Sequence, residues 1–460
     1  MQMENTLEKA LKEFDSYGYY INDKIKRDTE EYRKGQFAIN FLSESGEMAE
    51  GVKVEVRQMS HEFNFGCNLF YLDQFEDKRD ELYRNNVKQI FNYGVLPLYW
   101  STLEPEEGKV RFAEDCVKIH RKPPLDTVVK FCEENSIRMK GHCMIYHNYQ
   151  PDWMPESNRD IKIKIDERIK AVAERYGNAF ADLDVINEMV YIYKNCYKGN
   201  CYQGKGVNTL PITDERDHEK WSFDICKKYF PHTRLFWNED VQGSFGSFYR
   251  GYRSYYYMAL KEWMNAGAPI EGIGMQYHLF GEKEDIYEKW KEVCNPLRIK
   301  DALECYGEFD LPIHISEITI PSFTNEENDE MIQAELVKRL YKLWFSSKNC
   351  NAIVWWNLGD GTASKSENIY HAGLLREDCS RKPAYDVLND LIHKEWNTSF
   401  DTMVNGRLNF RGFYGDYEIT AEYKGQRIKK KIRLFKENTG YDNELCDFRS
   451  VNIKFTKKYI

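Results

Sequence analysis

The chain has 460 residues, 42% hydrophobic and 30% charged, with 28 Gly and 13 Pro, the balance of a globular protein that can bury a large core. No uninterrupted apolar run approaches the roughly 18 residues of a membrane span, so an integral membrane protein is excluded and no membrane partner is expected. With 65 Lys and Arg against 74 Asp and Glu, the formal net charge of −9 opposes a phosphate backbone, and nucleic acid is not an expected partner either.

The first thirty residues mix acids and bases and lack the apolar stretch and cleavage site of a secretory signal. The expected location is cytoplasmic, or secreted if a leader has been removed, and 12 scattered cysteines without a C-x-x-C fit reduced thiols. Residues 5–34 read as helical, with Leu7, Ala10, Leu11 and Phe14 on one stripe. Gln36–Leu42 and Val52–Val56 then alternate apolar and polar residues around a Ser-Gly-rich connector, the pattern of two half-buried strands.

From about Phe63 to His393 short apolar runs recur, beginning near Phe63, Val95, Arg138, Leu183, Leu235, Ile273, Ile313 and Ala352, each followed by a stretch of helical period. Eight strand-helix units of this size predict an α/β fold, the (β/α)8 TIM barrel, whose reactive groups sit at the C-terminal strand ends. An open doubly wound sheet competes, but no glycine-rich phosphate loop follows any strand. After Trp396, the segments 407–413, 417–423, 427–435 and 451–455 alternate as strands between Gly and Asn turns. The expected organisation is 1–60 as an N-terminal helix and strands, 61–395 as the barrel, and 396–460 as further strands, the two chain ends completing one small β-sandwich beside the barrel. The basic run Lys424–Lys436 is interleaved with Ile428, Ile432 and Leu434, as on the wet face of a strand.

Four strand ends carry polar residues: Gly141-His142-Cys143-Met144-Ile145-Tyr146-His147, Asp184-Val185-Ile186-Asn187-Glu188, Gln276-Tyr277-His278 and His314-Ile315-Ser316-Glu317. A carboxylate ending an apolar strand is costly to desolvate and usually has a task or a partner. Glu188 and Glu317, on the fourth and seventh strands, would project into one mouth, and carboxyl groups ~5–5.5 Å apart equip a retaining glycosidase. For either alone, a structural salt bridge explains as much.

With its flanking residues the chain resembles family 10 of the glycoside hydrolases, the β-1,4-xylanase family. The likeness runs through His61-Glu62-Phe63-Asn64-Phe65-Gly66, Thr102-Leu103-Glu104-Pro105-Glu106-Glu107-Gly108, Gly141-His142 with Tyr146-His147, Asp184-Val185-Ile186-Asn187-Glu188 and Gly274-Met275-Gln276-Tyr277-His278. It continues through Pro312-Ile313-His314-Ile315-Ser316-Glu317 and Trp356-Asn357-Leu358-Gly359-Asp360-Gly361 to Lys382-Pro383-Ala384-Tyr385, collinear over about 330 residues. The resemblance implies a retaining hydrolase of β-glycosidic bonds in xylan-type or related plant oligosaccharides, with Glu188 as acid/base and Glu317 as nucleophile. Asn187 would bind the sugar 2-hydroxyl. His142, His147, Tyr146, Gln276, His278 and Tyr99 would line the sugar subsites, with Trp356 as an apolar floor. It implies an oligosaccharide or glycoside as partner, no cofactor and no metal; oligomeric state is not readable.

Three departures stand out. Where the family's second strand ends in E-N-x-x-K-W, this chain has Val95-Leu96-Pro97-Leu98-Tyr99-Trp100. Unless other loops supply donors, sugars there lose hydrogen bonds worth ~0.5–1.5 kcal/mol each. Tyr146 replaces a Trp, and Glu317-Ile318-Thr319 lacks the Asp that partners the sixth-strand histidine, which predicts an altered pH profile. Two alternatives stay open: a metal-dependent barrel hydrolase using His142, His147, His278 and His314, although no H-x-H or H-E-x-x-H occurs, and a non-catalytic carbohydrate-binding protein on a hydrolase barrel. Around Cys196 and Cys201, Tyr191, Tyr193, Tyr197 and Tyr202 suggest an aromatic wall on the aglycone side or an ordinary surface loop.

Overall fold

The structure is a computed structural model that describes residues 2–190, 210, 212, 215, 217–246, 249–282, 291–324, 327–436 and 450–456. They divide into two compact units, Met1–Ile21 with Phe65–Leu388, and Asn22–Asn64 with Asn389–Ile460.

The first unit is built on parallel strands β3 (Asn64–Asn68), β4 (Tyr93–Pro97), β5 (Arg138–His142), β7 (Phe180–Asn187), β8 (Arg234–Glu239), β9 (Gly272–His278), β10 (Ile313–Thr319) and β11 (Cys350–Trp355). The short β6 (Ile145–Tyr146) adds to the end of β7, and pairing of β5 with β7 closes the eight main strands into a (β/α)8 barrel. Nearly every strand residue is buried, because helices cover the outer face and side chains fill the inner one. This double burial produces the continuous apolar runs seen in the sequence, and each strand begins within three residues of the run that announced it.

Sequence chemistry also sets the covering helices. Ser157 caps Asn158–Tyr176 by accepting from Asp160 N, and Asn295 caps Pro296–Gly307, whose first residue is the proline favoured there. The N-terminal helical stretch is two helices, Gln2–Ser16 and Gly18–Arg33. The first lies on the barrel helix Glu327–Ser346 through Arg339 and Asp15, 3.1 Å apart, so it belongs to the barrel unit. No helix among the described residues is long and apolar enough to cross a membrane.

The second unit is a small β-sandwich from both parts of the chain. β1 (Lys34–Leu42) lies between β13 (Arg407–Phe413), antiparallel, and β16 (Ser450–Lys454), parallel. β2 (Val52–Gln58) lies between β12 (Phe400–Val404) and β14 (Gly415–Tyr423), and β15 (Gln426–Leu434) extends that sheet. Phe37, Ile39, Phe41, Val52, Val54, Val56, Tyr417, Ile419 and Leu434 share one core between the sheets. β12 was not expected, because none of its five residues is fully buried and two are exposed. Arg427, Lys429, Lys431 and Arg433 of β15 are exposed and alternate with more buried side chains, and Lys429 pairs with Glu418 across the sheet at 2.8 Å, as for a solvated face.

Candidate active site

Five strand ends bring polar side chains to one mouth of the barrel. Glu188 follows directly on β7 in a left-handed conformation (φ +57°), and its amide donates to Asn238 O on β8 at 2.9 Å. A glutamate tolerates this region poorly, so the turn is held by its surroundings. Among them is the fully buried Glu239, whose Oε1 accepts from Val190 N at 2.8 Å and Trp237 Nε1 at 2.9 Å. Burial pushes the Glu239 carboxyl well above the usual range.

The Glu188 carboxylate accepts from Tyr146 Oη at 2.5 Å and from Gln276 Nε2 at 3.0 Å. Burial, and then the charge of Glu188, raise the Tyr146 phenol well above 10, so it remains a donor. Across the mouth on β10, Glu317 is 4% exposed; its Oε1 accepts from Asn238 Nδ2 at 2.8 Å and its Oε2 lies 3.4 Å from His278 Nε2. Two amides link the acids: Gln276 Nε2 also reaches Asn187 Oδ1 at 3.4 Å, and Asn238 Nδ2 donates to that same oxygen at 2.7 Å. The order Glu188, Gln276, Asn187, Asn238, Glu317 is a continuous hydrogen-bonded arc between the two carboxylates.

Around Glu317 the remaining expected residues assemble. His142 lies with Nδ1 2.9 Å from Asp184 Oδ2, a carboxylate shared with Lys140 Nζ at 2.7 Å deep in the barrel. Its Nε2 faces Tyr99 Oη at 3.2 Å and Glu317 Oε1 at 3.8 Å. Trp356 is buried edge-on to Phe70 and His142, with ring centres 5.2 and 5.3 Å away. His147 packs against Tyr146 at 4.9 Å, on the side of Glu188, and burial lowers its pKa.

The residue that stands where the family has Asp answers the third departure: Thr319 Oγ1 lies 2.8 Å from His278 Nδ1. Burial opposes a charge on His278, but the hydrogen bond and charge of Glu317, with Glu367 and Glu188 farther off, outweigh it and raise the pKa. Among the described residues no group of three or more His, Cys, Asp or Glu is placed to hold an ion. The loop with Tyr191, Tyr193, Cys196, Tyr197, Cys201 and Tyr202 lies outside the described residues.

Sequence reasoning missed Asn238, although Trp237-Asn238-Glu239-Asp240 ends an apolar strand in polar residues as the other four segments do. It also missed Arg121 and Lys122. Lys122 comes from the loop after β4 and places Nζ 4.2 Å from the Tyr99 ring centre and 4.3 Å from that of Phe70.

A family profile, glycosyl hydrolase family 10, matches residues 64–391, nearly the whole barrel. The chain belongs to glycosyl hydrolase family 10. Within the family it is a divergent member. The anti-sigma-I factor RsgI6 of Acetivibrio thermocellus is 24% identical over 420 residues, 89% of this chain and 48% of that protein. Endo-1,4-beta-xylanase A of Caldicellulosiruptor saccharolyticus is 26% identical over 57% of this chain and 72% of its own length. This chain spans less than half of RsgI6 and smaller shares of xylanase B of Neocallimastix patriciarum and xylanase 1 of Arabidopsis thaliana (28% and 39%). Among solved structures, native xylanase 10B of Thermotoga maritima superposes with a TM-score of 0.56 at 22% identity, covering 73% of this chain and 96% of that one. An intracellular xylanase of Thermoanaerobacterium saccharolyticum in complex with xylotetraose gives 0.53 at 21%, covering 71% and 95%.

Proposed function

We propose that this family 10 protein is a retaining glycoside hydrolase that cleaves β-glycosidic bonds in xylan-type oligosaccharides, with Glu317 as nucleophile and Glu188 as acid/base. The hydrogen-bonded arc joining those two carboxylates carries the reading. In the first step a Glu317 oxygen bonds to the anomeric carbon while Glu188 gives its proton to the departing glycosidic oxygen, leaving a glycosyl ester. In the second, Glu188 takes a proton from water, the water oxygen bonds to the same carbon, and Glu317 is released as carboxylate. Asn238 and His278 aim the nucleophile, while Tyr146 and Gln276 hold Glu188. Asn187 receives the 2-hydroxyl; His142, His147, Tyr99 and Trp356 line the sugar's walls. The nine described cysteines are all free thiols, which supports a cytoplasmic site of action on imported oligosaccharides or glycosides.

A second reading, a carbohydrate-binding protein without turnover, is favoured by the run at the end of β4, where Val95, Leu96 and Tyr99 stand in place of sugar-contacting Glu, Asn and Lys. Hydrolysis of aryl β-xylosides and xylo-oligosaccharides by the parent, Glu188→Ala and Glu317→Ala separates the two. An enzyme loses turnover in Glu317→Ala on every substrate, whereas Glu188→Ala keeps more of it when the leaving group needs no proton. No turnover by the parent across β-xylosides, glucosides, galactosides and arabinosides, with binding retained, selects the second reading.

A further inference from the structure

We propose that Arg121 and Lys122 form a recognition site for the carboxylate of a uronic acid carried by the oligosaccharide on the glycone side of the nucleophile. The inference rests on the reading of the site given above and names the substrate class it prefers.

Both residues lie on the turn between β4 and the helix Leu125–Glu134. Arg121 is held in a left-handed conformation (φ +60°), and its amide donates to Gln74 Oε1 at 3.2 Å. Arg121 is 8% exposed and Lys122 6%, and two adjacent cations at that depth need compensation. Other deeply buried cations have it: Lys140 pairs with Asp184 and Lys382 with Asp360, each at 2.7 Å, while Arg111 and Arg168 are capped by backbone carbonyls. Lys122 Nζ, among the described residues, has neither a carboxylate nor a carbonyl in reach and meets only the rings of Phe70, Tyr99 and, at 6.0 Å, Tyr149. Arg121 donates through Nη2 to Asn357 Oδ1 at 2.9 Å, and its buried Nε has no partner. The acid whose field reaches Lys122 is Glu367, which is spent on Asn357 Nδ2 at 2.8 Å. Burial, and then Arg121, push the Lys122 ammonium well below its ordinary pKa, a cost that a bound anion would relieve.

The location fits a substrate group. Phe70 and Tyr99, which flank Lys122, are the side chains that touch Trp356 and His142, and His142 Nε2 lies 3.8 Å from the nucleophile. This is the wall where the end of β4 has no polar residue to offer a sugar. A neutral chain gains only ordinary hydrogen bonds from two cations there, whereas a carboxylate gains charge-assisted attraction from Arg121 and a point charge from Lys122. In a protein of net charge −9, with the carboxylates of Glu188 and Glu317 at the mouth, such a counter-charge would offset the repulsion that an acidic sugar meets.

Calorimetric titration of Glu317→Ala protein with a uronosyl-substituted xylo-oligosaccharide, and with the same compound after reduction of its carboxyl to an alcohol, tests this. The acid is expected to bind at least about tenfold tighter at low salt, with the margin shrinking in 0.3 M NaCl. Adding Lys122→Met, or Lys122→Gln as a polar control, should erase the margin and leave the reduced compound's affinity within about twofold. Free glucuronate as competitor shows whether the carboxylate alone suffices or must be carried on the sugar chain. Equal affinities for acid and alcohol, or a margin that survives both Lys122 variants in folded protein, overturns the proposal. Because binding is read without turnover, failure of the hydrolase reading appears separately, as an inactive parent enzyme.

Discussion

Asn238 offers a sharp test of how Glu317, the proposed nucleophile, is held. One amide group, fully buried, donates to Glu317 Oε1 at 2.8 Å and to Asn187 Oδ1 at 2.7 Å, while its own Oδ1 has no partner. Asn238→Ala therefore removes the hydrogen-bond donor to Glu317 Oε1 and leaves that oxygen facing His142 Nε2 at 3.8 Å. A hydrogen bond to a charged group is worth about 1.5–3 kcal/mol, and at 1.36 kcal/mol per decade its loss should lower kcat/KM by roughly 10- to 150-fold. The fall should lie mainly in kcat, since Gln276 still reaches Asn187 and His278 still faces Glu317. Gly274→Ala reaches the same result from the neighbouring strand: a Cβ there would come within 2.1 Å of Asn238 Oδ1 and 3.0 Å of its Cα, so the amide must leave its place. The assay is steady-state hydrolysis of an aryl β-xylobioside, with thermal unfolding to show that each variant is folded. An Asn238→Ala enzyme within about threefold of the parent, melting as the parent does, would refute the idea that this amide orients Glu317.

Two pH predictions follow from the histidines. His278 is raised by Glu317, so its charged pair stabilises the protein fully below about pH 6.5 and is lost as pH climbs through the higher folded-state value. Urea unfolding from pH 6.5 to 9 should show a decline that His278→Gln removes, and an unchanged slope in that variant would count against the pairing; the other described histidines with shifted values, at 61, 120, 147, 218 and 314, are all lowered and act below that window. His218 is the reverse case: burial and then Lys162, against Glu215 and Asp217, lower it to about 4, and among the described residues neither ring nitrogen has a hydrogen-bond partner. Between pH 6.5 and 4 the barrel should lose about 3 kcal/mol through this residue, from a pKa fall of about 2.5 at 1.36 kcal/mol each. His218→Met should be more stable than the parent at pH 4.5, as chemical denaturation would show; equal acid sensitivity in the two proteins would sink the argument.

The barrel was legible because parallel strands buried on both faces leave continuous apolar runs, and carboxylates ending two such runs, Glu188 and Glu317, stand out against them. β12 was not, since Phe400, Thr402 and Val404 are only partly buried and their alternation is faint. Asn238 carried the same signal as the other polar strand ends, but its importance depends on β7, β8 and β10 converging, which no local pattern encodes. Arg121 and Lys122 are two among 65 cations in the sequence; what distinguishes them is burial without an ion pair to a carboxylate among the described residues, a property only of the folded chain. Thr319 shows a third kind of illegibility: the sequence reveals a missing Asp, but not that a hydroxyl takes over its contact with His278.

The sandwich imposes a timetable on synthesis. β1 and β2 each sit between strands that leave the ribosome much later; Arg57 and its hydrogen-bond acceptor, the Phe400 carbonyl, are 343 residues apart. At roughly 5–20 residues per second, the two early strands wait about 17–70 s with both edges unsatisfied. Bare edges invite pairing with other nascent chains, so slow translation late in the message should cost soluble yield even where the barrel itself is sound.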